Sequence, residues 1–299
     1  MNRKDFINFA LTYGVGNIFF HPFLKLKTKF KPIQEIGLQT YSLKQFKINE
    51  VLELLQDLNI KTCELWDGHI QPYDLMWRKG MTKEENDLRI LELKNWSKKL
   101  DLRSINQLYN RFNAAGIYIH SYNGSFSKSD DDDQIFQVFE IAKQLKTSII
   151  TTSAKYDQLL RIKSIVLQNH FLIASHNHSI QKDENYIASG ASLIRATEIN
   201  PNHFKINLDI GHMTAANEDC LSFIRKNYAR ICSLHLRDRK KDQGPVLSFG
   251  KGDTKILEVV ELIQNNYPEI AMFIELDYPF DNAYSEIKNS LDYINNRVN

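Results

Sequence analysis

Hydrophobic residues occur along the chain in short runs that alternate with longer segments of helical periodicity. The short runs predict β-strands at residues 36–42, 62–67, 116–122, 147–153, 171–177, 205–211, 231–238 and 271–277. Between them, apolar residues recur at helical spacing, as at 48–59, 82–100, 133–145, 220–228 and 255–266. Several of the predicted strands are apolar almost throughout rather than at alternate positions. This is typical of parallel strands buried on both faces.

About eight strand–helix units follow one another from residue 36 to the end of the chain, with no Gly-, Ser- or Pro-rich linker between them. This order predicts an α/β protein with a single (β/α)₈ barrel over residues 31–299. A doubly wound open sheet is the alternative, but no G-x-G-x-x-G motif follows any of the strands. In a barrel, the side chains at the carboxyl ends of the strands converge on one site.

The last four predicted strands each end in groups that bind metals or transfer protons. The ends of these strands carry His176 and His178, Asp209 and His212, His235 and Asp238, and Glu275. A single Asp-x-x-His pattern is also explained by capping of the following helix, since Asp is a favoured N-cap. Four such ends in succession are better explained by a shared site.

Asp209, His235 and Glu275 come from three consecutive strands and predict an open metal site. Imidazole and carboxylate ligands without thiolates suit Mn²⁺, Co²⁺, Zn²⁺, Fe²⁺ or Mg²⁺. His212 lies one helical turn after Asp209 and is predicted to donate a hydrogen bond to substrate. An exposed position next to the helix cap is the alternative for His212.

Further polar and aromatic residues near the strand ends are candidates for substrate binding. These are Tyr41, Glu64, Trp66, His120, Lys155, Arg237 and Asp238. The aromatic rings could stack on a sugar, although such residues more often pack in the core. The basic side chains could bind an anionic group or lie on the solvated rim.

The first 30 residues differ from the rest of the chain. An Arg3-Lys4 pair precedes a mostly apolar stretch from Phe6 to Leu24, which resembles a degenerate twin-arginine leader, a weak secretory signal or an anchor. An amphipathic extension packed on the barrel is the alternative, because Asn8 and other polar residues dilute the stretch. A functional leader predicts a periplasmic or exported protein, and otherwise a cytoplasmic one. No other segment is long and apolar enough to span a membrane.

Composition narrows the range of partners. The 38 basic and 36 acidic residues give a net charge of only +2, which predicts no general affinity for nucleic acid. The three cysteines, Cys63, Cys220 and Cys232, form no C-x-x-C pair and indicate neither a zinc knuckle nor a disulfide framework. The sequence leaves formation of a homo-oligomer open.

From residue 36 onward the motifs resemble the xylose isomerase-like TIM barrels, also called the sugar phosphate isomerase/epimerase family. The motifs that carry the resemblance are IGLQTYSL, CELWDGH, GIYIHSYN, SHNHS, INLDIGH, LHLRDRKKDQGP, FGKGD and FIELD. The resemblance implies one divalent metal ion at the barrel mouth, with the ligands His176, Asp209, His235 and Glu275. It also implies that His212 contacts a small sugar or polyol substrate.

The reaction that the resemblance implies is isomerisation or epimerisation by proton removal next to a carbonyl, through a metal-stabilised enediolate. Ketose 3-epimerases of the family carry a glutamate at the end of the fifth strand, whereas this chain has His176. Glu275, His176 or His178 would then act as the base, and Glu184 is a further candidate to replace the missing carboxylate. A keto-sugar or keto-inositol dehydratase and a non-catalytic carbohydrate-binding barrel are the alternatives. An abasic-site endonuclease is disfavoured by the near-neutral charge.

Overall fold

A computed structural model describes residues 35–75, 80–277 and 282–298, and these form a closed barrel of eight parallel strands. The barrel strands are β1 (Gly37–Gln39), β2 (Thr62–Trp66), β3 (Tyr118–Asn123), β4 (Ile149–Thr152), β5 (Leu172–His176), β6 (Phe204–Asp209), β7 (Ile231–Leu236) and β10 (Ala271–Ile274). They pair in chain order, and β1 closes the barrel by pairing with both β2 and β10. The predicted single (β/α)₈ barrel is confirmed.

Helices surround the barrel and connect its strands. They are α1 (Ile48–Asp57), α2 (Lys83–Lys99), α3 (Leu102–Ala114), α4 (Asp132–Gln144), α5 (Tyr156–Asn169), α6 (Gly190–Thr197), α7 (Ile210–Ala215), α8 (Cys220–Asn227), α9 (Ile256–Asn266) and α10 (Ala283–Val298). Their buried residues follow the helical period, as with Ile105, Leu108 and Phe112 on α3. Helix α2 differs, because none of its side chains is buried.

Burial of the strands agrees with the sequence pattern. Every residue of β4 and β10 is buried, as expected for strands that face both the barrel interior and the helical layer. The register then places the polar strand ends side by side. Asp209 on β6 is the partner of His235 on β7, and His235 is also the partner of Phe273 on β10.

Two features at the carboxyl end of the barrel differ from the predicted pattern. The run at 36–42 is a strand only as far as Gln39, and a 3₁₀ turn at Thr40–Leu43 follows it. A small antiparallel hairpin, formed by β8 (Asp238–Arg239) and β9 (Val246–Leu247), follows β7 and was not predicted. Both features shape the mouth of the barrel.

The predicted leader at residues 1–30 lies outside the described residues. Among the helices of the described ranges, none combines the length and the hydropathy that a membrane span requires.

Candidate metal centre at the barrel mouth

The carboxyl ends of four barrel strands bring together four buried side chains, which we call the metal cluster. His176 ends β5, Asp209 ends β6, His235 lies one residue before the end of β7, and Glu275 follows β10. One ligand atom from each residue lies within 4.8 Å of the ligand atoms of the other three. The structure therefore brings together the four residues that the sequence predicts as metal ligands.

One ring nitrogen of the metal cluster, Nδ1 of His176, is buried and has no hydrogen-bond partner among the described residues. Nδ1 of His235 and Oε2 of Glu275 are buried 2.6 Å apart, and Oε2 also lies 2.7 Å from Nη2 of Arg237. An unsatisfied buried polar group costs about 1–3 kcal/mol. A divalent cation would satisfy Nδ1 of His176 and would replace the proton between His235 and Glu275. The mixed nitrogen and oxygen donors fit such an ion.

A further carboxylate, Glu64 of β2, holds His235 from inside the barrel. Glu64 is fully buried, and its Oε1 accepts a hydrogen bond from Nε2 of His235 at 3.0 Å. Gln39 and Ser121 also donate to this carboxylate. Burial would lower the pKa of His235, but the charges of Glu64 and Glu275 raise it to about 10. The site thus favours a positive charge between the two carboxylates, which a proton or a metal ion can supply.

Arg237 is buried beside the metal cluster and pairs with its two carboxylates. Its Nε lies 2.7 Å from Oδ2 of Asp209, and its Nη2 lies 2.7 Å from Oε2 of Glu275. Burial opposes ionisation of Glu275, but Arg237 and His235 hold the pKa of Glu275 well below its usual range. The sequence predicts that Arg237 binds substrate or lies on the rim. Its guanidinium is instead engaged with carboxylates of the protein.

Asp209 also caps a helix, so the two explanations of the Asp-x-x-His pattern both apply. Its Oδ1 accepts the backbone N–H of His212 at 2.6 Å, which starts α7. Asn177 holds the backbone of Asp209 through both its amide atoms, at 2.9 Å and 3.1 Å. Each carboxylate oxygen has two lone pairs, so capping leaves capacity for a metal ion.

A second group, made of His176, His178 and His212, adjoins the metal cluster and shares His176 with it. Nη1 of Arg239 lies 2.7 Å from Nδ1 of His212. Because arginine can only donate, Nδ1 accepts and the neutral ring carries its proton on Nε2. Burial lowers the pKa of His212 to about 4, so the ring is neutral at pH 7. His212 therefore offers an N–H donor, which suits a substrate oxygen better than a second metal ion.

Two of the predicted substrate residues lie at the mouth of the barrel. Tyr41 and Trp66 meet edge to face, with ring centroids 5.0 Å apart, and both line a cavity. Lys155 lies on the loop before α5, where its ammonium group is 4.2 Å from the ring centroid of Tyr186.

Three other predicted substrate residues have almost no exposed surface, and the structure does not place them where a substrate would touch them. Glu64 is bound to His235, as described above. His120 packs inside the barrel against Phe273, with ring centroids 5.2 Å apart. The carboxylate of Asp238 accepts hydrogen bonds from the backbone amides of residues 250, 252 and 254, and so anchors their loop.

Glu184 does not replace the carboxylate that the fifth strand lacks. It is exposed on the loop after β5, where its carbonyl oxygen accepts a hydrogen bond from Arg195. It belongs to neither of the two groups of ligand atoms.

Comparison with solved structures finds several proteins with a similar barrel fold. The chain superposes on a zinc-containing IolI protein with a TM-score of 0.62, at 14% identity, over 88% of this chain and 98% of that chain. It is similar to the probable 3-DHS dehydratase AsbF of Bacillus anthracis, with a TM-score of 0.61, 14% identity, and coverage of 88% and 99%. It is also similar to the 3-keto-D-glucoside 4-epimerase YcjR of E. coli, with a TM-score of 0.61, 12% identity, and coverage of 87% and 98%.

No protein-family model matches the chain, and no curated protein matches it either. The similar structures also include proteins described as a xylose isomerase domain protein and a sugar phosphate isomerase/epimerase. The resemblance that the motifs show is thus confirmed at the level of the fold. At these identities the likeness establishes the fold alone.

Proposed function

We propose that this protein is a divalent-metal-dependent enzyme that isomerises, epimerises or dehydrates a small keto-sugar or keto-inositol. The observation that carries the proposal is the metal cluster, in which four buried ligand atoms lie within 4.8 Å of one another and Nδ1 of His176 has no hydrogen-bond partner among the described residues. The neighbours add support, because their names include a dehydratase, an epimerase and a zinc-containing protein. These reactions share one first step, the removal of a proton next to a carbonyl group.

The four residues of the metal cluster would hold the ion. When bound, a divalent ion there would polarise a carbonyl oxygen of the substrate and make the neighbouring C–H group more acidic. Glu64 and Arg237 orient the ligands His235, Asp209 and Glu275 through the contacts described above. This outer layer of contacts fixes ring tautomers and carboxylate directions.

His178 is the best candidate for the base that removes the proton. Part of its ring is exposed, and the ring centroid lies 5.3 Å from that of His176. Burial of the remainder lowers the pKa of His178, so the imidazole is neutral at pH 7 and can accept a proton. Glu275 is less suited, since Arg237 and His235 stabilise its charge.

His212 would bind a substrate oxygen through Nε2–H, next to both His176 and His178, whose ring centroids lie 5.8 Å and 5.4 Å from its own. Return of the proton to the same carbon from the other face gives an epimer, return to the neighbouring carbon gives an isomer, and loss of a β-hydroxyl gives a dehydrated product.

The test begins with elemental analysis of the purified full-length protein and of a His235→Ala, Glu275→Ala double variant. We expect close to one equivalent of a transition metal in the native protein and loss of that metal in the variant. A matched control, His170→Asn with Glu258→Ala, removes the same residue types from exposed positions, one directly after α5 and one on α9, and should retain the metal. Asn is chosen because residue 170 has a positive φ of 57°.

The same proteins are then incubated in D₂O with keto-sugars and inososes, and deuterium uptake is followed by NMR. The metal-loaded native protein should exchange a proton next to the carbonyl of at least one compound, and the double variant should not. The proposal is contradicted if the native protein takes up no metal after reconstitution. It is also contradicted if the metal-loaded protein exchanges no proton in any of the compounds.

A further inference from the structure

A cavity of about 890 Å³ opens at the same end of the barrel as the metal cluster. We call it the side cavity. Tyr41, Trp66 and Tyr122, which lie at or just after the ends of the first three strands, form one wall, and helices α2 and α4 form the other. No residue of the metal cluster lines it. The side cavity is therefore additional to the site proposed above.

The side cavity joins the metal cluster through a short series of contacts. Nζ of Lys44, in the wall of the cavity, lies 3.0 Å from Oδ1 of Asp277. Oδ2 of Asp277 lies 3.6 Å from Nη1 of Arg237, and Nη2 of Arg237 contacts Glu275. Lys44 and Asp277 thus connect the wall of the side cavity to Arg237, which contacts the metal cluster.

The lining combines aromatic rings with neutral hydrogen-bonding groups. Trp66, Trp96 and the two tyrosines offer flat apolar faces, and amides and hydroxyls come from Gln71, Gln134, Gln137 and Ser125. Sugar rings present apolar C–H faces and a rim of hydroxyl groups, so they match both kinds of surface. Gly68 permits this arrangement, because a Cβ there would lie only 2.3 Å from the ring of Trp66.

The basic residues of the side cavity are engaged with other groups of the protein. Lys44 pairs with Asp277 and donates to Tyr41. The guanidinium of Arg89 donates to the side chain of Asn86 and to the carbonyl of Leu75. Two carboxylates, Asp67 and Asp130, share the lining. A phosphate group would meet little uncommitted positive charge, whereas a neutral sugar needs none.

The size of the side cavity indicates a ligand larger than one sugar ring. Small-molecule sites span roughly 300–1,000 Å³, and this cavity lies near the upper end of that range. We propose that the substrate is an uncharged glycoside or disaccharide that carries a keto group, with the keto ring over the metal cluster and a second ring in the side cavity. This inference rests on the proposed function and specifies its substrate class.

Asp67 gives the second ring a polar contact in an otherwise aromatic corner. Burial raises the pKa of its carboxyl group to about 6, although hydrogen bonds from Ser125 and Gly68 oppose the rise. Near neutral pH the group can either donate to or accept from a sugar hydroxyl. Trp66 and Tyr122 lie beside it in the cavity wall.

Calorimetric titration of the metal-loaded full-length protein tests the inference. The probes are glucose, glucose 6-phosphate and five disaccharides, namely cellobiose, maltose, lactose, sucrose and trehalose. We expect at least one disaccharide to bind tenfold or more tightly than glucose, and glucose 6-phosphate to bind no more tightly than glucose. The metal content of each sample is measured in parallel.

Two variants separate the side cavity from the metal cluster. Trp96→Ala removes an aromatic face from the cavity, and Gln71→Ala provides a second test should the first variant fold poorly. Each should reduce disaccharide affinity about tenfold, leave glucose affinity within twofold and leave the metal content unchanged. The matched control, Leu91→Ala, changes an exposed residue on the same helix as Trp96 that does not line the cavity, and should change nothing.

Equal affinities of the native protein for glucose and for every disaccharide would overturn the inference. So would a Trp96→Ala variant whose affinities for glucose and for the disaccharide fall by the same factor. Tightest binding by glucose 6-phosphate would overturn it in favour of a phosphorylated substrate. In these cases metal loading and deuterium uptake would leave the proposed function standing. If the proposed function itself is wrong, the native protein will bind no metal or will exchange no proton of the substrate.

Discussion

Glu64 shows how much of the metal centre depends on a residue that would not touch the metal. Its carboxylate is fully buried and receives hydrogen bonds from His235, Gln39 and Ser121. By accepting from Nε2, it directs the other ring nitrogen of His235 toward Glu275 and the remaining ligands. Carboxylate–histidine–metal arrangements of this kind fix the tautomer and raise the basicity of the ligand.

Glu64→Gln should therefore weaken metal binding while the barrel remains folded. The amide keeps the shape of the side chain and one acceptor, but the negative charge that polarises His235 is lost. We expect the metal affinity to fall about 10–100-fold, measured by competition with a chromophoric chelator at constant pH.

The control for this experiment is Glu53→Gln, which makes the same chemical change at an exposed position on α1. It should bind metal as the native protein does. An unchanged affinity in Glu64→Gln would show that Nε2 of His235 needs no anionic partner.

The sequence predicted correctly that Glu64 lies near the end of its strand, but not how deep in the barrel it lies. Glu64 and Trp66 point to the same side of β2, since side chains alternate along a strand. Trp66 reaches the side cavity, whereas Glu64 lies one layer deeper under His235. How deep a strand-end residue lies in the barrel depends on the stagger of the neighbouring strands. The sequence of a single strand does not determine that stagger. For the same reason the sequence could not show that Arg237 turns inward to Asp209.

At the level of secondary structure, the position of helix α7 depends on the close contact of Gly211 with Arg237, the residue that follows β7. A Cβ atom on Gly211 would lie 2.6 Å from the backbone oxygen of Arg237 and 2.8 Å from its Cβ. Backbone contacts of this kind cannot be relieved by a change of side-chain rotamer. The glycine thus lets α7 start directly after Asp209 and keeps His212 over the metal cluster.

Gly211→Ala should displace α7 and disturb the site that it carries. Overpacking of this kind costs typically about 1–3 kcal/mol of stability, and we expect the metal affinity to fall together with it. Urea unfolding and metal titration measure the two effects separately.

Gly190→Ala is the matched control, because it adds the same methyl group to α6. There the new Cβ would meet the side chains of Glu218 and Phe223 rather than backbone atoms. Stability should fall in this variant without a loss of metal affinity. Metal affinity that falls equally in both variants would mean that α7 has no special role.

The eight strands were predictable because their apolar runs are bounded by turns and helices, and each was found within a few residues of its expected bounds. The short elements at the barrel mouth were not. Asp238 and Arg239 belong to a hairpin that is held by backbone donors to Asp238 and by contacts of Arg239 with Gly244 and His212. Such contacts are tertiary, and two-residue strands carry no periodicity.

For the molecule as a whole, barrel closure is what assembles the site. His235 and Glu64 are 171 residues apart in sequence yet share a hydrogen bond. The strand-end pattern predicted a shared site of Asp209, His235 and Glu275, because parallel strands in a barrel deliver their carboxyl ends to one face. The family resemblance added His176. The side cavity was not predictable in the same way, since it requires the relative placement of α2 and α4 against three strand ends.

Closure also buries several neutral histidines, which makes the stability of the protein sensitive to acid. Burial lowers the pKa of His69, His120 and His212 to about 4 each, from a usual value of 6.5. Between pH 6.5 and 4 the unfolded chain therefore binds protons that the folded chain does not. The contribution of each histidine is present above pH 6.5 and is lost as the pH falls through this window.

Two other groups, Asp67 and His235, have raised pKa values, so each changes the stability with pH in a different way. Burial raises the pKa of Asp67 to about 6, so this carboxyl group favours folding as the pH falls from 6 toward 3.8 and offsets one histidine. The pKa of His235 is raised to about 10, so in the metal-free protein its contribution is already complete below pH 6.5. Burial also lowers the pKa of His176 and His178. Five histidines against one carboxyl group leave a net loss of stability in acid.

We therefore expect the free energy of unfolding of the metal-free protein to fall between pH 7 and pH 5, measured by urea titration. His69→Gln should make this fall shallower, by up to about 1.4 kcal/mol per pH unit, although the variant starts from lower stability because His69 hydrogen-bonds to Thr40 and Leu43. His170→Asn, at an exposed position, should leave the slope unchanged. A slope in His69→Gln equal to that of the native protein would mean that His69 takes up its proton equally in the folded and unfolded chain. The acid sensitivity would then belong to the other histidines with lowered pKa values, His120, His176, His178 and His212.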